Sequence, residues 1–182
     1  MAHRIELETE RLILRPMLPD DVEPLITFMQ DPRVAAFLTD TGKPRDRATE
    51  WRAAASILGH WQIRGFGFFT VLDKQTGDWL GRVGPWQPEG WPGLEVGWSI
   101  APDHWGKGYA VEAALATMWW TFERFADLPR LISVIEPTNA NSQAVAKKVG
   151  EVKTEEVFHW QVYSLDIWAV ERQTWFEKFG DR

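Results

Sequence analysis

Three strand-like runs fall within residues 66–100, and the turns between them are too short to hold a helix. "FGFFTVLDKQTGDWLGRVGPW" reads as strand 66–72, a turn at DKQTG and strand 79–84; "GLEVGWSI" reads as strand 93–100. Strands joined so closely run antiparallel. The next strand, "RLISVIE" at 130–136, is reached only across "GYAVEAALATMWWTFERFA" (108–126). That run gathers Ala110, Ala114, Leu115, Met118, Phe122 and Phe125 on one side of a helix. A β–α–β connection makes its two strands parallel. One sheet must therefore hold both senses. The fold class expected is α/β in the α+β sense: a single mixed, partly antiparallel sheet flanked by helices, not a repeating βαβ array.

The remaining segments extend this pattern. "RLILRPM" (11–17) alternates as a strand, and "LPDDVEPLITFMQD" (18–31) follows as a short amphipathic helix with acids at its positive end. "DRATEWRAAASILGHWQIRG" (46–65) is a second helix ending near Gly65, and "NSQAVAKKVG" (141–150) a short one with Gly150 as its C-cap. "EEVFHW" and "YSLDIWAVE" close the chain as strands, giving the order β–α–α–β–β–β–α–β–α–β–β. No repeat, low-complexity tract or linker divides residues 1–182, so one domain is expected. A chain of 182 residues, 45% of them hydrophobic, can bury roughly 70% of its unfolded surface.

Composition narrows the partners. The net charge is −6 and no Lys/Arg block occurs, which argues against nucleic acid and anionic membranes. With no cysteine, disulfides, thiolate metal sites and cysteine nucleophiles are excluded. His3, His60, His104 and His159 are scattered without metal-ligand spacing, so no metal is expected. The N-terminus lacks an apolar signal core, and no uninterrupted apolar run approaches the ~18 residues of a membrane span. A cytoplasmic chain is expected, and a homodimer is compatible with it. Most of the twelve tryptophans belong in a core. Trp86 and Trp91 differ: they sit in the Pro/Gly-rich "GPWQPEGWPGLE", where a loop can wall a pocket.

"PDHWGKGYAVEAA" (102–114) sets Gly106 and Gly108 at the start of the long helix. Helix-start N–H groups are unpaired and sit at the positive end of the dipole, and glycine lets an anion approach the backbone closely. The pair is thus either a phosphate cradle or a flexible loop-to-helix entry. A dinucleotide G-x-G-x-x-G would need a third glycine where Val111 stands, although Glu136 could imitate its ribose-binding acid. A Walker A loop fails for want of G-K-[ST].

Four blocks in this order resemble the GNAT superfamily of N-acetyltransferases, closest to its RimJ/RimL-like branch. They are "ETERLILRPMLPDDVEPLITFMQDPRVAAFL", "TGDWLGRVG", "LEVGWSIAPDHWGKGYAVEA" and "NANSQAVAKKVG", covering most of residues 8–150. The resemblance implies acetyl-CoA as cofactor, with the thioester against strand 94–100 where it splays from the next parallel strand. Backbone N–H groups near Gly97 and Trp98 would hold its carbonyls, with Ile100 on the same strand. Trp105, Gly106, Lys107, Gly108, Tyr109 and Ala110 would hold the pyrophosphate, and Asn139 and Ser142 would face the pantetheine arm and sulfur. Three positions depart from the superfamily: Trp105 stands where Gln or Arg is preferred, Ala146 where a Tyr often serves as the acid, and Glu151 where an apolar residue is usual.

Transfer to an amine requires a base, because a lysine amine has a pKa of about 10.4 and an α-amine about 7.7–8.0. It also requires stabilisation of the thioester oxygen and a proton for the departing thiolate. The resemblance makes Glu95 the candidate base, with Glu136 second, and passes the acid's role from Ala146 to Ser142. Asp103 is expected to cap its loop. Trp86 and Trp91 would line the acceptor pocket. The acceptor is a primary amine, on a protein N-terminus or a small molecule, and the overall acidity favours a cationic one. The rivals are a non-catalytic acyl-CoA-binding module on the same fold and an NAD-type oxidoreductase.

Overall fold

A computed structural model describes residues 5–160 and 163–180. In chain order its elements are β1 (Leu7–Glu8), β2 (Leu12–Pro16), α1 (Val22–Met29), α2 (Pro32–Leu38), α3 (Arg47–Arg64), β3 (Phe69–Asp73), β4 (Trp79–Trp86), β5 (Glu95–Ile100), α4 (Tyr109–Arg124), β6 (Arg130–Ile135), α5 (Ala140–Lys148), β7 (Val152–Trp160), β8 (Tyr163–Glu171) and α6 (Arg172–Phe179). The strands form one sheet in the order β1-β2-β3-β4-β5-β6-β8-β7. Every neighbouring pair is antiparallel except β5 and β6, which are parallel. The mixed sheet follows from the turn lengths as expected.

Several boundaries differ from the sequence reading, each for a local reason. The helix expected over 18–31 is a 3-10 turn at Pro19–Asp21 followed by the shorter α1. The buried Asp21 carboxylate turns the chain there: it accepts from Arg15 at 2.6 and 2.9 Å, from the Leu18 N–H at 2.7 Å and from the Thr70 hydroxyl at 2.9 Å. α2 was not expected, yet Asp31 caps it by accepting the Arg33 N–H at 2.8 Å, with Pro32 in the first turn. α6 was also missed; it is anchored by Trp175, which is buried. β7 starts at Val152 rather than 155.

β4 runs on through Pro85 and Trp86, which pair with Val96 and Glu95. Trp86 is thus a strand residue, not part of the loop. The ladder tolerates Pro85 because its missing N–H faces β3, which has already ended at Phe69 opposite Val83. Gly150 lies just beyond α5 at φ 96°, and the Glu151 N–H returns to the Ala146 carbonyl at 2.9 Å.

Side chains separate by face. Val96 and Ile100 of β5 pack with Ala113, Ala114, Met118 and Phe122 of α4. On the opposite face Phe68 packs with Leu25 and Phe28 of α1 and with Ala54 and Ile57 of α3. Period-2 alternation turns Glu95, Gly97 and Ser99 toward that second face. Arg172 closes the C-terminal end of α4, donating to the Phe122 carbonyl at 2.7 Å. No helix among the described residues is long and apolar enough to cross a membrane.

At Gly81, where φ is 154°, an added Cβ would lie 2.2 Å from the Ser99 carbonyl oxygen of the neighbouring strand. Gly81→Ala must therefore push the two strands apart. The expected loss is on the order of 3 kcal/mol, a fall in Tm of roughly 6–12 °C for a domain of this size. Thermal denaturation followed by circular dichroism measures it; an unchanged Tm would mean that the strands are not held at this spacing.

Candidate active site

The site begins where β5 and β6 part. They share one register pair, Glu95 with Ile132, closed by the Ile132 N–H on the Leu94 carbonyl at 3.2 Å. On the other edge of β5 the Ala101 N–H meets the Leu80 carbonyl at 2.8 Å. Alternation then aims the backbone groups of Val96, Trp98 and Ile100 at β6 and those of Glu95, Gly97 and Ser99 at β4. Beyond Glu95 there is no strand opposite, so the Trp98 N–H and C=O and the Ile100 N–H face a gap. Of the two donors expected there, Trp98 faces the gap, while Gly97 is turned into the β4 ladder opposite Gly84. The Ile100 carbonyl is taken by the Trp105 indole N–H at 2.6 Å, which folds the following loop back on the strand.

One cavity, of about 330 Å³, opens from this gap toward the start of α4. Trp98, Ile100, Trp105, Gly106, Gly108, Tyr109, Ala110, Asn139 and Ser142 all line it, but Lys107 does not. Lys107 instead offers its carbonyl to Arg11 at 2.9 Å. Arg11 also pairs with Glu112 at 2.6 Å and lies over the Tyr109 ring at 4.5 Å, so the first strands of the sheet hold the loop in place.

Gly106 and Gly108 have φ of 74° and 84°, a region that L residues avoid. The backbone N–H groups from Gly106 to Val111 have no acceptor among the described residues, and α4 has no side-chain cap. Nothing lies within 4 Å of where a Gly106 Cβ would be. This chemistry fits an anion held by backbone donors at the positive end of a 16-residue helix. At α5 the cap is Asn139, whose Oδ1 accepts the Ser142 N–H at 3.0 Å; Ser142 stands in the first turn and lines both this cavity and the next.

The second cavity, of about 670 Å³, lies on the α1/α3 side. Trp86, Trp91, Glu95, Gly97 and Phe68 line it, and it shares Trp98, Ser99, Asn139 and Ser142 with the first. Glu95 is buried. Its Oε2 accepts the Trp91 indole N–H at 2.6 Å and its Oε1 the Val134 N–H at 3.4 Å. Burial pushes its pKa up to about 7, held back by the Trp91 and Val134 donors and by the charge of Arg82. Trp91 is itself braced edge-on against Phe158 and Trp160 of β7, at 5.1 and 5.4 Å. Trp86 stacks between His60 and Phe68, at 4.3 and 4.9 Å.

Two other candidate acids have different surroundings. Glu136 lines the cavity, but its Oε2 accepts the Thr138 N–H and hydroxyl at 2.7 and 2.5 Å and closes a turn. Asp103 is exposed and pairs with Arg33 of α2 at 3.2 Å instead of capping its own loop. His60 is buried between the Phe66 carbonyl and the Gln87 N–H. His104 borders the first cavity, His159 meets the Ser164 hydroxyl, and His3 lies outside the described residues. Among the described residues no group of three or more His, Asp or Glu gathers to hold a metal ion.

Three site residues escaped the sequence reading. Ser133 of β6 bridges the gap, its Oγ lying 2.8 Å from both the Val96 carbonyl and Glu151 Oε1. A hydroxyl has one proton, so both contacts are hydrogen bonds when a protonated Glu151 donates to Ser133 and Ser133 donates to Val96. Burial, reinforced by the nearby Glu95 charge, raises the Glu151 pKa well above the usual carboxylate range, in keeping with that assignment. The sequence signal was a Glu directly after the helix-ending Gly150, where an apolar residue is usual. Arg82, in the midst of "WLGRVGPW", lines the second cavity, and a lone arginine in an otherwise apolar strand was the signal for it.

Residues 11–152 match the family model described as "Acetyltransferase (GNAT) domain". The Bacillus subtilis protein YkkB is 30% identical over 88% of this chain and 92% of its own length. An N-acetyltransferase of Bacillus licheniformis, p20, is 29% identical over 75% of this chain and 76% of its own. The crystal structure of an acetyltransferase from Agrobacterium tumefaciens superposes with a TM-score of 0.80 at 32% identity, covering 91% of this chain and 94% of that one. The chain belongs to the GNAT acetyltransferase family.

The raised acids make stability pH-dependent in a definite direction. A folded-state pKa of about 7 against 4.5 unfolded means that folded Glu95 keeps its proton over that interval. Its contribution is complete below pH 4.5 and is lost as pH rises through 7, about 3 kcal/mol in all. Urea denaturation at pH 5 and pH 8 should show Glu95→Gln losing less stability across this range than the parent chain, by about 2.5 kcal/mol, since part of the contribution is already lost at pH 5. Equal losses in both proteins would mean that Glu95 titrates normally.

Proposed function

We propose that this member of the GNAT acetyltransferase family moves an acetyl group from acetyl-CoA to a primary amine, with Glu95 as base and direct attack in a ternary complex. One observation carries the reading. The anion-fitting cavity and the cavity holding Glu95 meet at Trp98, Ser99, Asn139 and Ser142, where β5 and β6 part. Two ligands, one in each cavity, would touch there. The RimJ/RimL-like branch rests on the "NANSQAVAKKVG" block.

Acetyl-CoA would supply an acetyl group already activated as a thioester. The backbone donors from Gly106 to Val111 would hold its phosphates, and Asn139, Ser142 and Trp98 would border its pantetheine arm. The Trp98 N–H, facing the gap, is a fixed donor for a carbonyl oxygen, and a preorganised donor strengthens as charge develops on its acceptor. Glu95, poised at about 7, takes a proton from an ammonium at Oε1, the oxygen not bound to Trp91. Ser142 holds a hydroxyl proton between the two cavities, where it can be passed to a departing sulfur. A chain without cysteine needs no covalent relay for this.

Acetyl-CoA at 100 times its Kd should stabilise the protein by about 2.7 kcal/mol, roughly 5–11 °C in Tm, while NADH and ATP should not. Gly106→Val, which fills the cradle, should abolish that rise. Equal stabilisation by NADH would overturn the assignment.

The pH–rate profile tests the base. Activity should rise with pH through about 7 in the parent chain. Glu95→Gln should lower kcat and flatten this limb, and Trp91→Phe, which removes the N–H from Oε2, should move it to higher pH. Ser142→Ala should lower kcat more modestly, since water can stand in for the hydroxyl. If Glu95→Gln keeps the full rate at every pH, another group removes the proton.

A further inference from the structure

Arg82 feels the charges of Glu95 and Glu50 but forms no direct ion pair with either. Its guanidinium lies over the Phe68 ring, with Cζ 4.2 Å from the centroid, and its buried Nε has no hydrogen-bond partner among the described residues. The cavity's other arginine is matched: Arg45 Nε donates to the fully buried Glu50 at 2.8 Å. Glu95 takes its hydrogen bonds from Trp91 and Val134 instead. Arg82 forms no ion pair among the described residues, and its side chain lines the cavity wall. Burial lowers its pKa only to about 10, so it is charged at neutral pH. Arg82 as a whole is half-buried, but a buried guanidinium Nε without a partner is unfavourable, and the usual remedy is a carboxylate gripped by the guanidinium fork.

The same cation bears on the acceptor. An amine arrives as an ammonium, which Glu95 can meet but which leaves the Arg82 guanidinium without a hydrogen-bonded anion. An acceptor that carries its own anion enters with no net charge. Among the many residues of this wall, Phe68, Trp86, Trp91 and Trp98 give an aromatic surface that suits an apolar body. We propose that the acceptor is an amino-carboxylate with an apolar side group, its carboxylate bound by Arg82 and its amine presented to Glu95. The inference rests on the acetyl-transfer reading of this cavity and names the substrate class. It departs from the cationic acceptor that the net charge of the whole chain favours, because Arg82 and Glu95 in one cavity offer a partner for each charge of an amino-carboxylate.

Three probes with one body separate the parts: L-phenylalanine, phenethylamine without the carboxylate, and hydrocinnamate without the amine. Thiol release from acetyl-CoA reads transfer, and isothermal calorimetry of hydrocinnamate reads carboxylate binding. Phenylalanine should exceed phenethylamine in kcat/KM by on the order of 30-fold, and Arg82→Met should bring the ratio near one while abolishing hydrocinnamate binding. Replacing this half-buried arginine, which makes no ion pair among the described residues, by an apolar side chain of similar length should change Tm little. If the methionine variant fails to fold, Arg82→Lys, which keeps the charge but loses the fork, should give an intermediate ratio.

Phenethylamine turned over as well as phenylalanine, with no effect of Arg82→Met, overturns the carboxylate site and leaves acetyl transfer standing. Arg82-dependent hydrocinnamate binding without thiol release from any amine sustains the carboxylate site and overturns acetyl transfer. Neither binding nor release overturns both.

Discussion

Everything at this site depends on two parallel strands that pair once and then separate. β5 and β6 are joined at Glu95 and Ile132 and nowhere further along. A sheet interior does not normally leave backbone donors unpaired, because a buried N–H without an acceptor costs about 1–3 kcal/mol. Here the separation exposes the Trp98 N–H and C=O to a space that reaches both faces. The helix β5 leads into ends the same space with bare N–H groups at residues 106–111. Unmet hydrogen-bonding capacity is thus concentrated along one line, from the middle of the sheet to the start of α4. A ligand with a carbonyl at one end and phosphate at the other would satisfy it.

The parting is braced as well as open. Ser133 spans the gap to the Val96 carbonyl with Glu151 behind it, and the Glu95 carboxylate crosses to the Val134 N–H. Both braces involve buried acids, and the charge of Glu95 adds to burial in holding back the ionisation of Glu151. Glu151 keeps its proton, serving as a neutral donor. That arrangement leaves Glu95 as the acid of the pair that loses its proton near neutrality, and Trp91 and Arg82 help it to do so. The catalytic proposal therefore depends on a protonated neighbour as much as on the base itself.

Much of this was legible in the sequence, and the limits are physical. Turn lengths fixed the antiparallel run from β3 to β5, and the 3.6-residue stripe in α4 forced the parallel step to β6. The glycine pair marked the anion-fitting turn because only glycine takes φ near 74–84° without strain. α2 was missed although Asp31-Pro32 is a recognisable helix start. Trp86 was taken for a loop residue because the proline before it normally ends a central strand; only the early end of β3 permits it. The Trp91–Glu95 and Ser133–Glu151 contacts join residues on different elements or across a loop, and no periodicity predicts them. The acidity of the whole chain says little about the acceptor, because net charge is a sum over the surface, whereas the placing of Arg82 and Glu95 in one cavity is local.

The abundance of tryptophan acquires a physical sense at this gap. Three indole N–H groups reach across places where no backbone ladder runs. Trp61 donates to the Phe68 carbonyl at 2.8 Å, Trp91 to Glu95 at 2.6 Å and Trp105 to the Ile100 carbonyl at 2.6 Å. Each recipient belongs to the site: Phe68 carries Arg82, Glu95 is the proposed base, and Ile100 ends the strand that borders the gap. Indole suits the task because it fills an apolar space with a rigid ring while placing one donor at its edge. A splayed sheet loses the ladder that would otherwise fix its strands, and a large, stiff side chain with a single N–H replaces one rung at a time. The buried Trp168 and Trp175 show the contrast: their Nε1 atoms meet no partner among the described residues, and their contribution is packing alone.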